Sequence, residues 1–413
     1  MRAMKDSGIA WIGEIPEDWE IKKLKYTFFH SNAGEVIDKS YWNCGSELLY
    51  TCQKEPINSN YSGFPEAKRT GLNDLLLTRN ATPYVFIPET HSIYSNVVQR
   101  ISLRQEYDRR YIRYSLLSAI DSLVALGDTI PSYNMEIWEN ITLPIMQQQH
   151  RIADYLDRKC SQIDAIIARQ QEVIEKLKAY KLSVITEAVT KGLNPHAPMK
   201  DSGVEWIGKV PEQWKVAKLK FVASFYNGDR SSKYPSGTDI VDEGVIFVTS
   251  NNLGNTFLDT TISTKYITKE KYDDLGGAKI RINDIIFCLR GSVGKCSINK
   301  SENEGTIASS LVVIRAKKIL ADYLIFALQC PGITAVSTLN AIGIGSLNLS
   351  ADDISEIFIP IPPEKEAAEI AEFLYKRIGK IDHVINEKNN YVNHFVMYKK
   401  SLIYEVVTGK KEV

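Results

Sequence analysis

No apolar run in this sequence approaches the roughly 18–20 residues needed to cross a bilayer, so no membrane-spanning helix is expected. The first residues, Met-Arg-Ala-Met-Lys-Asp, lack the apolar stretch of a secretory signal. Six cysteines among 413 residues never come closer than eight positions. There is no C-x-x-C, so neither a zinc site nor a redox pair is signalled, and buried reduced thiols in a cytoplasmic protein are expected. Net charge is also missing: 50 Lys and Arg balance 50 Asp and Glu. A DNA binder that acts alone is usually basic, and this composition does not announce one.

Catalytic signatures are missing too. Neither H-E-x-x-H nor G-x-S-x-G occurs, and the six histidines are scattered. RGSVGKCS at 290–297 looks like the end of a phosphate-binding loop, but Cys296 follows Gly294-Lys295, and Leu289 stands at the first glycine position. The G-x-G at 343–345 has Asn348 where a dinucleotide fingerprint needs its third glycine. No Asp/Asn-Pro-Pro-aromatic tetrapeptide of an amino-methyltransferase is present. The pair Asp273-Asp274 sits in a turn-like context, and helix capping explains Asp352-Asp353 better than acid–base work does. These absences argue against an enzyme, a metal site or a cofactor in this chain.

What is present is a duplication. MKDSGIAWIGEIPEDWEIKKLKY at 4–26 returns as MKDSGVEWIGKVPEQWKVAKLKF at 199–221, with 14 of 23 positions identical. A second repeated block pairs 152–190 with 370–408 at an offset of 218, through Leu156/Leu374, Ile163-Asp164/Ile381-Asp382 and Tyr180-Lys181/Tyr398-Lys399. Each half therefore has a leading Trp-containing segment, a divergent region and a long repeated block. The boundaries read as 1–26, 27–142, 143–193, 194–221, 222–360 and 361–413. Trp11, Trp19, Trp206 and Trp214 read as packing anchors.

The long blocks carry a helical period. Taking Leu156, Ile163, Gln170, Leu177 and Val184 as position a makes Lys159, Ile166, Val173, Tyr180 and Glu187 position d. The second block gives Leu374, Ile381, Lys388, Phe395 and Leu402 at a, with Arg377, Val384, Tyr391, Tyr398 and Glu405 at d. That is a short coiled-coil seam. The repeat suggests a pseudo-two-fold relation in which the two helices, each about 60 Å long at 1.5 Å per residue, pack antiparallel. Gln170 and Lys388 would then form a polar layer that fixes register. Proline-rich turns precede both helices, at 143–145 and 359–363, and KGLNPHAP at 191–198 is a stop and linker.

The divergent regions read as mixed α/β, with strands at 47–51, 84–87, 245–249, 285–288 and 311–314 and helices at 107–126 and 320–329. The fold class is α+β: two mixed α/β domains separated by a long antiparallel helix pair. Shared scraps remain, such as Asn73-Asp74 with Asn283-Asp284, and Ser132-Tyr133-Asn134 with Ser346-Leu347-Asn348. Polar loops lie between the strands. Candidate nucleic-acid contacts in the first region are Gln53, Lys54, Lys68, Arg69, Thr78, Arg79 and Asn80. In the second they are Arg230, Ser232, Lys233, Tyr234, Ser250, Asn251, Asn252, Arg290, Ser292 and Lys295. Arg and Lys suit guanine, and Asn and Gln suit adenine, in the major groove. Neither region is basic, with 10 Lys/Arg against 13 Asp/Glu in the first and 13 against 15 in the second. Phosphate attraction would have to come largely from elsewhere.

Residues 6–19 and their copy 201–214 resemble the leading motif of specificity subunits of type I restriction–modification systems. Ile359-Pro-Ile-Pro-Pro363 before Ile370-Ala-Glu-Phe-Leu374 resembles the start of their spacer helices, and residues 283–295 resemble a stretch of their target recognition domains. The resemblance covers essentially the whole chain. Pro144-Ile-Met-Gln-Gln-Gln-His150 departs by lacking two prolines, and Asn80-Ala-Thr-Pro83 replaces the Gly-Ser-Val-Gly loop. What the resemblance implies is a subunit without catalysis. Its two recognition domains read the halves of a bipartite asymmetric site in double-stranded DNA, and its helix pair sets the gap. Two methyltransferase subunits would dock with S-adenosylmethionine, and two translocase–nuclease subunits would bring ATP and Mg. A coiled-coil scaffold whose divergent domains bind proteins is the rival reading.

Overall fold

The computed structural model describes residues 2–127, 130–262, 264–340 and 349–413. The echo at Ser346-Leu347-Asn348 lies outside them. The chain divides into two compact units, Met1–Gln171 with Asn389–Val413 and Glu172–Lys388. The divisions fall inside both long helices, Gln149–Lys191 and Glu364–Val407.

The first unit opens with an antiparallel hairpin, Met4–Asp6 with Glu14–Pro16. Strand Glu20–Lys23 then pairs antiparallel with Thr142–Ile145, Ile21 opposite Pro144. Between those partners lie a four-stranded sheet, in the order Phe28–Ala33, Val98–Leu103, Asp74–Thr78, Val85–Phe86, and a three-stranded sheet around Trp42–Tyr50. Leu75, Leu76 and Leu77 are each fully buried, the signature of a strand covered on both faces. Helix Arg109–Ala119 packs its apolar stripe inward through Tyr111, Ile112 and Leu116.

The second unit repeats the plan. Hairpin Met199–Asp201 with Lys209–Pro211 comes first, then the ladder of Lys215–Lys218 with Phe358–Ile361, Val216 opposite Pro360. Its sheets run Ala223–Asn227, Leu311–Ala316, Ile285–Cys288, Cys296–Ile298, and Ile240–Val241, Lys265–Ile267, Val245–Val248, Gly305–Ile307. The second region is longer by 23 residues, and its second sheet has a fourth strand where the first unit has three. The expected proline-rich turns are thus strands in both units. Proline has no N–H to give a ladder, and here it stands on the outer strand of a two-stranded pair, where that loss is tolerated. The Asn-Asp echo has a local cause: the buried Asp74 and Asp284 carboxylates accept from the backbone N–H three residues earlier, Gly71 at 2.7 Å and Arg281 at 2.8 Å.

Within each unit the two long helices run antiparallel. In the first, Tyr111 Oη donates to Pro144 O at 2.9 Å and lies 3.5 Å from Val407 O, tying the start of one helix to the end of the other. In the second, Tyr323 Oη meets Pro360 O and Val189 O, both at 3.1 Å. The a series is buried or half-buried along both helices, and the second inward-facing series is displaced by one residue from the d positions. Cys160, Ile167, Ile174, Lys181 and Ala188 face inward, with Ile378, Ile385, Val392, Lys399 and Val406 on the other helix. Ile166, Tyr180, Val384, Tyr391 and Tyr398 are 36–57% exposed instead. The displacement was hidden by Lys181 and Lys399, which read as surface residues. Each is drawn into the seam by the other helix's repeat-equivalent aspartate: Lys181 pairs with Asp382 at 2.7 Å, and Lys399 with Asp164 at 2.6 Å.

All six cysteines are free thiols, four buried and Cys44 and Cys52 only partly so. Burial pushes Cys296 and Cys330 up to about 12. Trp19 and Trp214 are core residues, whereas Trp11 and Trp206 are half-buried. Ser350 and Asp353 form a reciprocal capping box, so the Asp352-Asp353 pair is a helix start.

Candidate nucleic-acid interface

The candidate residues gather in two places in each unit. One lies at the ends of neighbouring strands. In the first unit Cys52 Sγ and Arg79 N both bond to Val97 O, which brings the exposed Gln53-Lys54 loop beside the half-buried Arg79 and Asn80. In the second, Lys295 Nζ reaches Ser250 O at 3.4 Å, uniting the loop of Arg290, Ser292 and Lys295 with Ser250-Asn251. Positive-φ Gly291 and Gly294 let this loop turn sharply enough to leave Arg290, Ser292 and Lys295 in solvent.

Two candidates here are corrected. Thr78 is fully buried; its hydroxyl donates to Thr82 O and accepts from Tyr84 N, both at 2.7 Å. Asn252 is also fully buried, accepting from Thr249 N and donating to Asp259 O and Ile262 O. Both side chains build the loops and cannot meet a base.

The second gathering differs between units. In the second unit, Arg230 and Lys233 line a cleft of about 820 Å³ with Tyr226, Lys279, Arg281 and Arg315, five cations against Asp229 and Asp274. The exposed Tyr226 ring carries the Arg315 guanidinium 4.6 Å from its centroid. Asp284 holds Arg315 through two contacts of 2.7 Å and raises its pKa further. Lys233 bonds to Asp274 at 2.5 Å, which raises its pKa, whereas burial lowers that of Lys279. Ser231 holds the Asp229 carboxyl below its usual range. Ser232 is exposed on the rim, while the Tyr234 ring packs edge-on against Phe247, 5.7 Å away.

In the first unit carboxylates occupy the cations. Lys68 pairs with Glu35 at 2.5 Å, and Arg69 with Glu47 at 2.6 Å and Glu66 at 2.9 Å. Arg69 is only 16% exposed, so its guanidinium is an internal brace and not a free reader. Sequence reasoning missed Tyr226, Lys279, Arg281 and Arg315. An arginine ending the apolar run 311–314 was the available signal, because a charge at a strand end needs a partner or a ligand.

A family model described as the type I restriction modification DNA specificity domain matches residues 211–394. The type I restriction enzyme MjaVIII specificity subunit of Methanocaldococcus jannaschii is 26% identical, over 97% of this chain and 94% of that protein. Over nearly its whole length the chain is similar to type I specificity subunits. The EcoBI specificity subunit of Escherichia coli is 22% identical over 86% of this chain and 75% of its own length. A solved chain of a type I R-M system, described in terms of complex assembly and conformational transition, shares the fold at a TM-score of 0.63. It is 13% identical and covers 96% of this chain and 99% of that one. Among the described residues no helix of this chain is long and apolar enough to cross a membrane.

Proposed function

We propose that this chain is the non-catalytic DNA-reading subunit of a type I restriction–modification complex. Each unit's divergent region reads one half of a bipartite, asymmetric site in double-stranded DNA. The long helices set the gap between the halves. Two methyltransferase subunits dock on the repeated frame and carry S-adenosylmethionine to adenine in a cytoplasmic complex; two translocase–nuclease subunits with ATP and Mg can join it for restriction. The reading rests on one observation: corresponding strand ends in two like-built units carry different polar side chains, Gln53, Lys54, Arg79 and Asn80 against Ser250, Asn251, Arg290, Ser292 and Lys295. A frame kept alike around unlike readers suits two identical partners and two different half-sites.

The test is methyladenine mapping. The chain is co-expressed with its methyltransferase subunit in a methylation-free host. A bipartite motif that disappears when this chain is omitted is the expected result. Exchanging residues 27–142 for another such region should change one half of that motif only. A stable complex that methylates no motif would overturn the proposal in favour of a protein-binding scaffold.

A further inference from the structure

The leading segments offer a comparison of one side chain in two settings. Trp214 is fully buried, and its indole Nε1 donates to Glu366 Oε2 at 2.9 Å, an oxygen that Gln213 Nε2 also reaches at 3.1 Å. Trp19, the matching residue of the first unit, is 2% exposed, yet its Nε1 has no acceptor among the described residues. Both rings lie against the glycine that ends a long helix. A Cβ placed on Gly192 would lie 3.2 Å from Trp214 Cζ2, and one on Gly409 would lie 3.3 Å from Trp19 Cη2.

The partners have changed around Trp19. At the offset of 218, Gln148 stands where Glu366 stands, and at the offset of 195 of the leading segments Asp18 replaces Gln213. Gln148 Oε1 faces Arg151 Nη1 at 3.5 Å, and Asp18 is paired with Arg2. Trp19, Gln148 and Arg151 line a cavity of about 1070 Å³ whose other charged residues are Arg2 and Lys411 against Asp18 and Glu412. The Arg2 guanidinium lies 5.8 Å from the Trp19 ring centroid. An orphaned donor in the core is costly unless an acceptor reaches it, and the same indole in the other unit is satisfied by a carboxylate.

We propose that this cavity is a carboxylate-binding site. A carboxylate from outside the chain takes the place that Glu366 holds in the second unit, accepting from Trp19 Nε1 and pairing with Arg151. The site gives the first unit a mark that the second has filled from within, so an acidic partner can tell two otherwise similar units apart. The ligand's source is either a free small carboxylate or an acidic side chain of a partner polypeptide.

The test uses the full chain with ¹⁵N-labelled indoles, the Trp19 resonance being assigned by Trp19→Phe. It is titrated with sodium acetate and, separately, with a Ser-Glu repeat octapeptide and its Ser-Gln counterpart. A saturable downfield shift of the Trp19 N–H with acetate and the Glu peptide identifies a site for free carboxylates. A shift with the Glu peptide alone identifies a partner's side chain. Gln148→Glu supplies the carboxylate internally; it should shift the resonance without ligand and abolish the titration. Arg151→Ala should weaken binding about tenfold or more, the range of a lost charge-assisted contact. No saturable shift with acetate or the Glu peptide, or equal shifts with the Glu and Gln peptides, would overturn the proposal. Because the readout needs no DNA, failure here would leave the methylation motif intact.

Discussion

Replacing Lys181 with methionine should cost more stability than replacing Lys399 with methionine, although the two lysines are equivalent in the repeat. Lys181 and Asp382 are 13% and 19% exposed, whereas Lys399 and Asp164 are 28% and 57% exposed. At 2.7 Å and an effective dielectric constant near 20, the gross attraction is about 6 kcal/mol, most of it offset by desolvation. Methionine keeps the stem in the seam and removes only the charge. The half-buried Asp382 is then stranded, at a cost of about 2 kcal/mol, below the 3–5 kcal/mol of a fully buried pair. Asp164 is rehydrated, and the loss there should stay under about 1 kcal/mol. Adding Asp382→Leu to Lys181→Met should restore most of the loss, because an apolar pair suits a helix seam. Urea unfolding followed by tryptophan fluorescence measures these differences, and amide exchange across 376–390 assigns them to the helix. Equal losses at both sites, or a double variant no more stable than Lys181→Met, would refute the reasoning.

Tyr111→Phe and Tyr323→Phe should each cost about 1–2 kcal/mol, since each hydroxyl serves buried carbonyls. Burial raises both phenol pKa values above 10. The stability they confer is therefore complete below about pH 10 and lost as pH rises through the folded values; circular dichroism should show alkaline unfolding that weakens in the Phe variants. Arg281→Ala should weaken DNA binding by the assembled complex and lower its log–log salt slope by about 1. Lys68→Ala should leave that slope unchanged, because Glu35 already holds the ammonium; fluorescence anisotropy at several salt concentrations distinguishes the two. Ser350→Ala removes a capping box and should cost about 1 kcal/mol in thermal melts.

Much of the frame is legible in the sequence because its signals are local. The repeated segments, the uninterrupted helical period and the β-branched runs each report on their own residues. The strand 285–288 is found as read, and helix Arg109–Ala119 lies inside the segment 107–126. What escaped depends on partners distant in sequence. Lys181 belongs to the seam only because Asp382 waits 201 positions away. Pro144 and Pro360 sit in strands only because the leading segments pair with them. Thr78 and Asn252 have the right chemistry for base contacts, but burial spends their hydrogen bonds on the backbone. The cleft around Tyr226 assembles side chains from 226 to 315, and no short window contains it.

The ladders that close each divergent region have a further consequence. Lys23 stands opposite Thr142, and Lys218 opposite Phe358. The chain leaves the frame and returns to it at neighbouring strand positions, roughly 4.5–5.5 Å apart. Each region is in effect a cassette in a socket with adjacent pins. Any domain whose own ends lie that close can be exchanged without moving the rest of the molecule. On the proposed function, a new specificity would then need the replacement of one cassette and no compensating change in the frame.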